Sequence, residues 1–252
     1  MKLSGNTIFL TGGAAGIGKS LTKQLVEQGN EVIVCGRNED TLKKATKEIP
    51  GLHYVRCDIS SDADRREVFK HISKNFPKLN VLINNAAIQS TYDFKTGAEG
   101  LKKMDHELSI NLNAPIHLTG LFMPLLLKAE NPAVVFVTSI LGLAPFETKI
   151  PIYCIAKSGL HSYILLLRKH LQGTPVEVYE VAPPKVETDI HSAVRADLKA
   201  AGREDWRGVD VDVYCKFVVE KLAEDVKFVL YPPVPPFVEA ITNAEAWTPP
   251  AK

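Results

Sequence analysis

Thr7-Ile8-Phe9-Leu10-Thr11-Gly12-Gly13-Ala14-Ala15-Gly16-Ile17-Gly18 decides the fold of this chain. A short apolar run leads into a cluster of glycines. From Lys19 to Gln28, Leu21, Leu25 and Val26 then recur at helical spacing. Strand, glycine turn and helix in that order place backbone N–H groups and a helix N-terminus at the turn. A pyrophosphate can approach there because Gly12, Gly16 and Gly18 carry no side chains.

The second strand, Glu31 to Cys35, ends in Gly36-Arg37-Asn38, roughly 20 residues beyond the turn, where a dinucleotide site selects its cofactor. A carboxylate there would bind a free ribose 2′-hydroxyl and repel a 2′-phosphate. Gly36 leaves room instead, and Arg37 can pair with the phosphate, so the sequence leans to NADP(H). Glu39 to Ile49 reads as a helix and His53 to Cys57 as a strand running into Asp58-Ile59. Asp58 has two readings of equal weight, an acceptor for an adenine amino group or a helix N-cap. Asp62 to Phe76 is amphipathic, and Val81-Leu82-Ile83 is a short buried strand opening into Asn84-Asn85-Ala86-Ala87, whose small residues permit close approach to a ligand. A helical region from about Leu101 to Lys128 contains Asn111, unfavourable in a helix interior. Its amide points outward or sits hydrogen-bonded in a polar pocket near Tyr153.

Ala133 to Thr138 is a further apolar strand, closed by Ser139. With Pro151 in the first turn of a helix, Tyr153 and Lys157 share one face. An ammonium beside a phenol is expected to lower the tyrosine pKa from about 10 and make it a usable acid or base. Val176 to Val181 is a strand. The stretch 185–209 is polar and aperiodic, as a lid over a ligand would be. Val211 to Ala223 reads as a helix, Val226 to Leu230 as the last strand, and Tyr231 to Phe237 is rich in proline. That end could cover the pocket mouth, pack on a neighbour, or serve as a proline-rich ligand for another protein.

With 252 residues, 45% of them hydrophobic, the chain suits one α/β domain, residues 1–252. Thirty basic and 29 acidic residues leave a charge of +1 and no field for nucleic acid or an anionic membrane. Four scattered cysteines lack metal-ligand spacing, so no metal is expected, and a cytoplasmic protein without leader or membrane span is.

Thr11-Gly12-x-x-x-Gly16-x-Gly18, Asn84-Asn85-Ala86-Ala87, Asn111, Ser139 and Tyr153-x-x-x-Lys157 stand in the order and spacing of the short-chain dehydrogenase/reductase family, which the chain resembles over nearly its whole length. Segments around Asn85, Asn111 and Tyr153 resemble its DltE-like oxidoreductases. The resemblance implies a doubly wound parallel sheet, a Rossmann fold of about seven strands with helices on both faces. It implies a catalytic set of Ser139, Tyr153, Lys157 and Asn111, with Tyr153 the general acid/base, Ser139 a donor to the oxyanion and Asn111 supporting a water that relays protons to Lys157. The implied cofactor contacts are Gly12, Ala14, Ala15, Gly16, Ile17, Gly18, Arg37, Asn38, Asp58, Ile59, Asn85, Ala86, Ala87, Tyr153, Lys157, Pro183, Val186 and Thr188. The implied reaction is NADP-dependent interconversion of a small-molecule carbonyl (ketone) and a secondary alcohol. A family epimerase or dehydratase and a non-catalytic NADP sensor are the alternatives. A homodimer or homotetramer is expected from the apolar segments around Leu121 to Leu126 and Leu160 to Leu171. Ala87 and Pro184 stand where the family usually has glycine.

Overall fold

The computed structural model describes residues 1–200, 207–234, 236, 238 and 239. Seven strands alternate with helices: β1 (Thr7–Thr11), α1 (Gly16–Glu27), β2 (Glu31–Gly36), α2 (Glu39–Glu48), β3 (His53–Arg56), α3 (Asp62–Asn75) and β4 (Leu79–Asn84) form the first part. The second part comprises α4 (Leu101–Leu108), α5 (Ala114–Leu126), β5 (Ala133–Val137), α6 (Ile140–Leu143), α7 (Pro151–His170), β6 (Glu177–Ala182), α8 (Ser192–Ala200), α9 (Val211–Ala223) and β7 (Phe228–Leu230).

All strand pairs are parallel, in the order β3-β2-β1-β4-β5-β6-β7. The chain winds outward from β1 to β3, then returns to the centre at β4 and winds the other way. That reversal makes the carboxyl ends of β1 and β4 the topological switch point, where doubly wound sheets open a crevice. Strands buried on both faces carry apolar residues at nearly every position. Ile8, Leu10, Val32, Val34, Val81 and Ile83 pack on one face beneath α1, α2 and α9. Phe9, Ile33, Leu82, Val134 and Phe136 pack on the other with α3, α5 and α7. Fully burying each such side chain is worth about 1.5–3 kcal/mol, so the sheet is a rigid base for the loops at its carboxyl edge.

Three elements depart from the sequence reading. The first helix begins at Gly16, inside the glycine turn. The region from Leu101 to Lys128 is two helices joined by a π turn at Ser109–Asn113, which contains Asn111. Within 185–209, Asp189–His191 is a 3₁₀ turn and α8 follows it, so the segment is partly regular. Residues 201–206 of that stretch lie outside the described residues, as do Pro235 and Phe237 of the proline-rich stretch. Val234 packs against Leu143 and Ala182 of the same chain.

Candidate active site

At the switch point the ends of β1 and β4 are tied together. Thr11 Oγ1 accepts from the backbone N–H of Asn85 and Ala86, both at 3.1 Å, and Asn85 Nδ2 donates to the carbonyls of Thr11 and Gly12. The close approach requires glycine. A Cβ at Gly18 would sit 2.2 Å from the Gly12 oxygen, and Gly12 itself has a φ of 69°. Ala15 at the N-cap of α1 offers no side-chain acceptor, and no acidic residue stands in the first turn. Its N–H groups thus meet a cavity of about 690 Å³ lined by Gly12 and Ala15 to Gly18. A helix start of that kind attracts anions.

The same cavity reaches Gly36 and Arg37 at the end of β2, Asp58 and Ile59 beyond β3, and Asn85, Ala86 and Ala87 beyond β4. Arg37 is exposed and borders the cavity. Asp58 Oδ1 accepts from Ser60 N at 3.0 Å and Ser60 Oγ at 2.7 Å, while the α3 N-cap is Ser61. Of its two readings the N-cap is therefore the wrong one. Burial acts to raise the Asp58 pKa, but the Ser60 hydrogen bonds and the nearby Arg37 charge outweigh it and hold the carboxyl below the usual range. Asn38 does not border the cavity, because its Oδ1 caps α2 by accepting from Thr41 N at 2.9 Å. Ala14 is likewise turned away, packing against the core beside α1. Ala87 borders the cavity and is not among the described residues with positive φ, so its methyl brings no backbone strain.

Ser139, Tyr153 and Lys157 meet at the centre of this edge and all border the cavity. Ser139 lies two residues past the end of β5, caps α6 through its Oγ, and hydrogen-bonds the Tyr153 side chain. Pro151 starts α7, its missing N–H harmless in the first turn. Tyr153 and Lys157 follow on the helix's buried face. Lys157 Nζ donates to the Val137 carbonyl at 2.7 Å and lies 5.6 Å from the centre of the Tyr153 ring. The expected lowering of the phenol is not observed. Burial pushes the Tyr153 pKa well above its ordinary value, with the Ser139 hydrogen bond acting against it. Burial also pulls the Lys157 ammonium down to about 8, opposed by Glu180. A phenol kept protonated beside a cation and a hydroxyl is equipped to give a proton to an oxygen in the cavity.

Asn111 is buried and hydrogen-bonded, but its amide does not border the cavity. Oδ1 accepts from Ile88 N at 2.9 Å and Nδ2 donates to Ile88 O at 2.8 Å, so the side chain holds the strand-end loop that carries Asn85 to Ala87. The π turn accommodates this inward amide within a long helix. Glu107, one turn earlier and 1% exposed, is pushed up to about 7 by burial, despite hydrogen bonds from Ser90.

Pro183, Pro184, Val186 and Thr188 close the cavity from β6. Thr188 packs on the glycine turn: a Cβ at Gly16 would meet its methyl at 3.2 Å. Sequence reading passed over His191 and Arg195, which border the cavity from the segment after β6, because that segment has no periodicity. His191 meets Gln89 at 3.2 Å, and Arg195 is paired with Glu187 at 2.5 Å. It also passed over His161 and Glu180, although His161 stands one helical turn beyond Lys157 and Glu180 is a carboxylate inside an apolar strand.

The fold and edge are those of a dinucleotide-binding α/β protein, and the comparisons specify the family. A family model described as short chain dehydrogenase matches residues 6–199. The chain belongs to the short-chain dehydrogenase/reductase family of oxidoreductases, in its DltE-like branch. It is 42% identical over 224 residues to the uncharacterized oxidoreductase DltE of Bacillus subtilis, covering 89% of this chain and 87% of that one. Among solved structures, a short-chain dehydrogenase/reductase from Burkholderia phymatum in complex with NAD superposes with a TM-score of 0.83 at 19% identity, over 96% of this chain and 93% of that one. A short-chain dehydrogenase from Sphingobium yanoikuyae in complex with NADPH gives a TM-score of 0.79 at 19% identity, over 95% and 93%. No helix among the described residues is long and apolar enough to cross a membrane.

Proposed function

We propose that this protein is an NADP-dependent carbonyl reductase that interconverts a ketone and a secondary alcohol. The observation that carries the reading is one continuous cavity that joins the α1 N-terminus, Arg37 and the Ser139, Tyr153 and Lys157 side chains. Its walls fit a dinucleotide. The glycine turn excludes side chains where a pyrophosphate would lie, and the first-turn N–H groups of α1 face that place without a competing carboxylate. Arg37 would pair with a 2′-phosphate, Asp58 and Ile59 would border the adenine, and Asn85 to Ala87, Pro183, Val186 and Thr188 would hold the remainder. When bound there, the cofactor supplies the hydride.

In the reducing direction Tyr153 gives its phenolic proton to the carbonyl oxygen, a role its raised pKa suits because the group is protonated at neutral pH. Ser139 donates a hydrogen bond to that oxygen as charge develops on it. Lys157, tied to the Val137 carbonyl, stabilises the phenolate that Tyr153 becomes. Asn111 acts one step removed, by fixing Ile88 and the loop behind Ala87.

The segment 185–209 is the substrate lid of a single domain. Its ends are stitched by the Val186 to Val209 bridge, with Glu187 N donating to Val209 O at 2.8 Å and Val209 N to Lys185 O at 2.9 Å. Leu141, Phe146, Ile150, Ile190 and Val194 line that end of the cavity and favour an apolar carbonyl substrate. Four free, buried cysteines suit the reducing cytoplasm. The test is a panel of ketones and secondary alcohols assayed with NADPH and NADH, with product analysis. Ketone-dependent NADPH consumption yielding the alcohol is expected. Isomerised product, or cofactor binding without turnover of any carbonyl, would overturn the reading in favour of an epimerase or a sensor.

A further inference from the structure

Behind Ser139 and Lys157 lies a buried polar cluster that the reaction as described does not use. Glu180 is wholly buried in β6, two residues after Val178 and so on the α7 side of the sheet. Thr138 Oγ1 donates to its Oε1 at 2.7 Å, and His161 Nδ1 lies 2.9 Å from both carboxylate oxygens. The His161 ring packs against Phe228, with centroids 5.9 Å apart. Tyr153, Lys157 and His161 follow one another at four-residue intervals, a single stripe on the buried face of α7. The stripe faces the β5 edge, where Val137 accepts from Lys157 and the next residue, Thr138, holds Glu180.

A carboxylate taken out of water is costly even when paired, and an apolar replacement often serves a core at least as well. The place of this one, one strand beneath a buried ammonium, therefore calls for a reason other than packing. Around Lys157 the titratable groups among the described residues are Tyr153, Cys154 and His161 on its own helix and Glu180 on β6. Glu107 on α4 lies beyond Tyr153 and acts on that phenol. Burial works to neutralise Lys157, and Glu180 is the group whose charge acts against it.

We propose that Glu180, held in place by Thr138 and His161, is a positioning residue that keeps Lys157 charged behind Tyr153. The inference rests on the reading of Tyr153 and Lys157 given above. Its test follows Lys157 directly, by NMR of the cofactor-free protein with isotopically labelled lysine, the resonance being assigned by its loss in Lys157→Met. In Glu180→Gln the Lys157 titration should move down by about one pH unit or more, and Glu180→Asp should restore most of it. The alkaline limb of kcat/KM for reduction should move down by the same interval, with activity kept on its acid side. An unchanged Lys157 titration in Glu180→Gln overturns the proposal, whatever happens to stability. Should Glu180→Gln not fold, Glu180→Leu, which removes the carboxylate and fills its space with an apolar side chain, should move the Lys157 titration down likewise, and no shift overturns the proposal equally. A shifted resonance in a protein that reduces no carbonyl would leave Glu180 supporting Lys157 and defeat the functional reading alone.

Discussion

Lys157 is held as a buried cation by one carbonyl and one distant carboxylate, and that has a consequence for stability. Its pKa falls from about 10.4 in an unfolded chain to about 8 in the folded one. Between those values the unfolded chain binds more protons, so the folding cost is full below pH 8 and is relieved as pH rises above it. Lys157→Met should therefore raise Tm at neutral pH, by about 2–4 °C for each kcal/mol regained, and the gain should shrink toward pH 10 on that same account. Scanning calorimetry at both pH values checks this, and a lower Tm at neutral pH would mean that the Val137 contact outweighs the buried charge. At the other end of the cavity, a Cβ at Gly36 would meet only Leu42, at 3.6 Å, an ordinary contact, so a side chain can start there without a clash. Gly36→Asp with Arg37→Ile should then move preference from NADPH toward NADH by roughly ten- to a hundredfold, the worth of a charge-assisted hydrogen bond. A kcat/KM ratio untouched by the double change would mean that Arg37 does not meet the phosphate. Residue identities such as Ser139, Tyr153 and Lys157 were legible because their order and spacing are specific. The electrostatics were not. Spacing alone suggested that Lys157 depresses Tyr153, whereas burial, which depends on what covers α7, raises the phenol and lowers the amine.

At the scale of elements, the π turn at Ser109–Asn113 couples α4 and α5 to the loop after β4. Sequence periodicity gave one helix from Leu101 to Lys128, because a single inserted residue leaves the apolar spacing on either side almost unchanged. The poor propensity of Asn111 was the signal of an anomaly, and its meaning came only with Ile88 beside it. Glu107 sits in the same knot, accepting from Asn111 Nδ2 at 3.5 Å. Its folded pKa of about 7 exceeds an unfolded value of about 4.3, so its contribution favours folding at low pH and is lost as pH rises through that window. Glu107→Gln should flatten the pH dependence of stability between those limits and raise Tm at pH 8 relative to the parent. Thermal melts across the range read this out, and identical slopes for the two proteins would show that Glu107 does not titrate there. Ala14 and Asn38 teach the opposite lesson. Both stand beside true cavity residues in sequence, yet the glycine turn directs one into the core and the start of α2 makes the other a cap.

For the whole molecule, the alternation of strands and helices was readable throughout, since strands buried on both faces announce themselves as apolar runs. Strand order was not in the periodicity: the family resemblance implied a doubly wound parallel sheet, and the order itself came with the structure. The segment after β6 was read as aperiodic because its order depends on local ties such as Glu187 with Arg195. On the outer surface Leu101, Ile155 and Leu166 of α4 and α7 are each more than half exposed. Light scattering at micromolar concentration should accordingly give a dimer or tetramer, with a monomer mass refuting the association. The most direct test of the whole account is Tyr153→Phe, which removes the transferable proton and little else. Its turnover of a ketone that the parent reduces should fall far more than tenfold, which is about 1.4 kcal/mol of barrier, with NADPH binding by titration nearly unchanged. Turnover within tenfold of the parent would contradict Tyr153 as the proton donor.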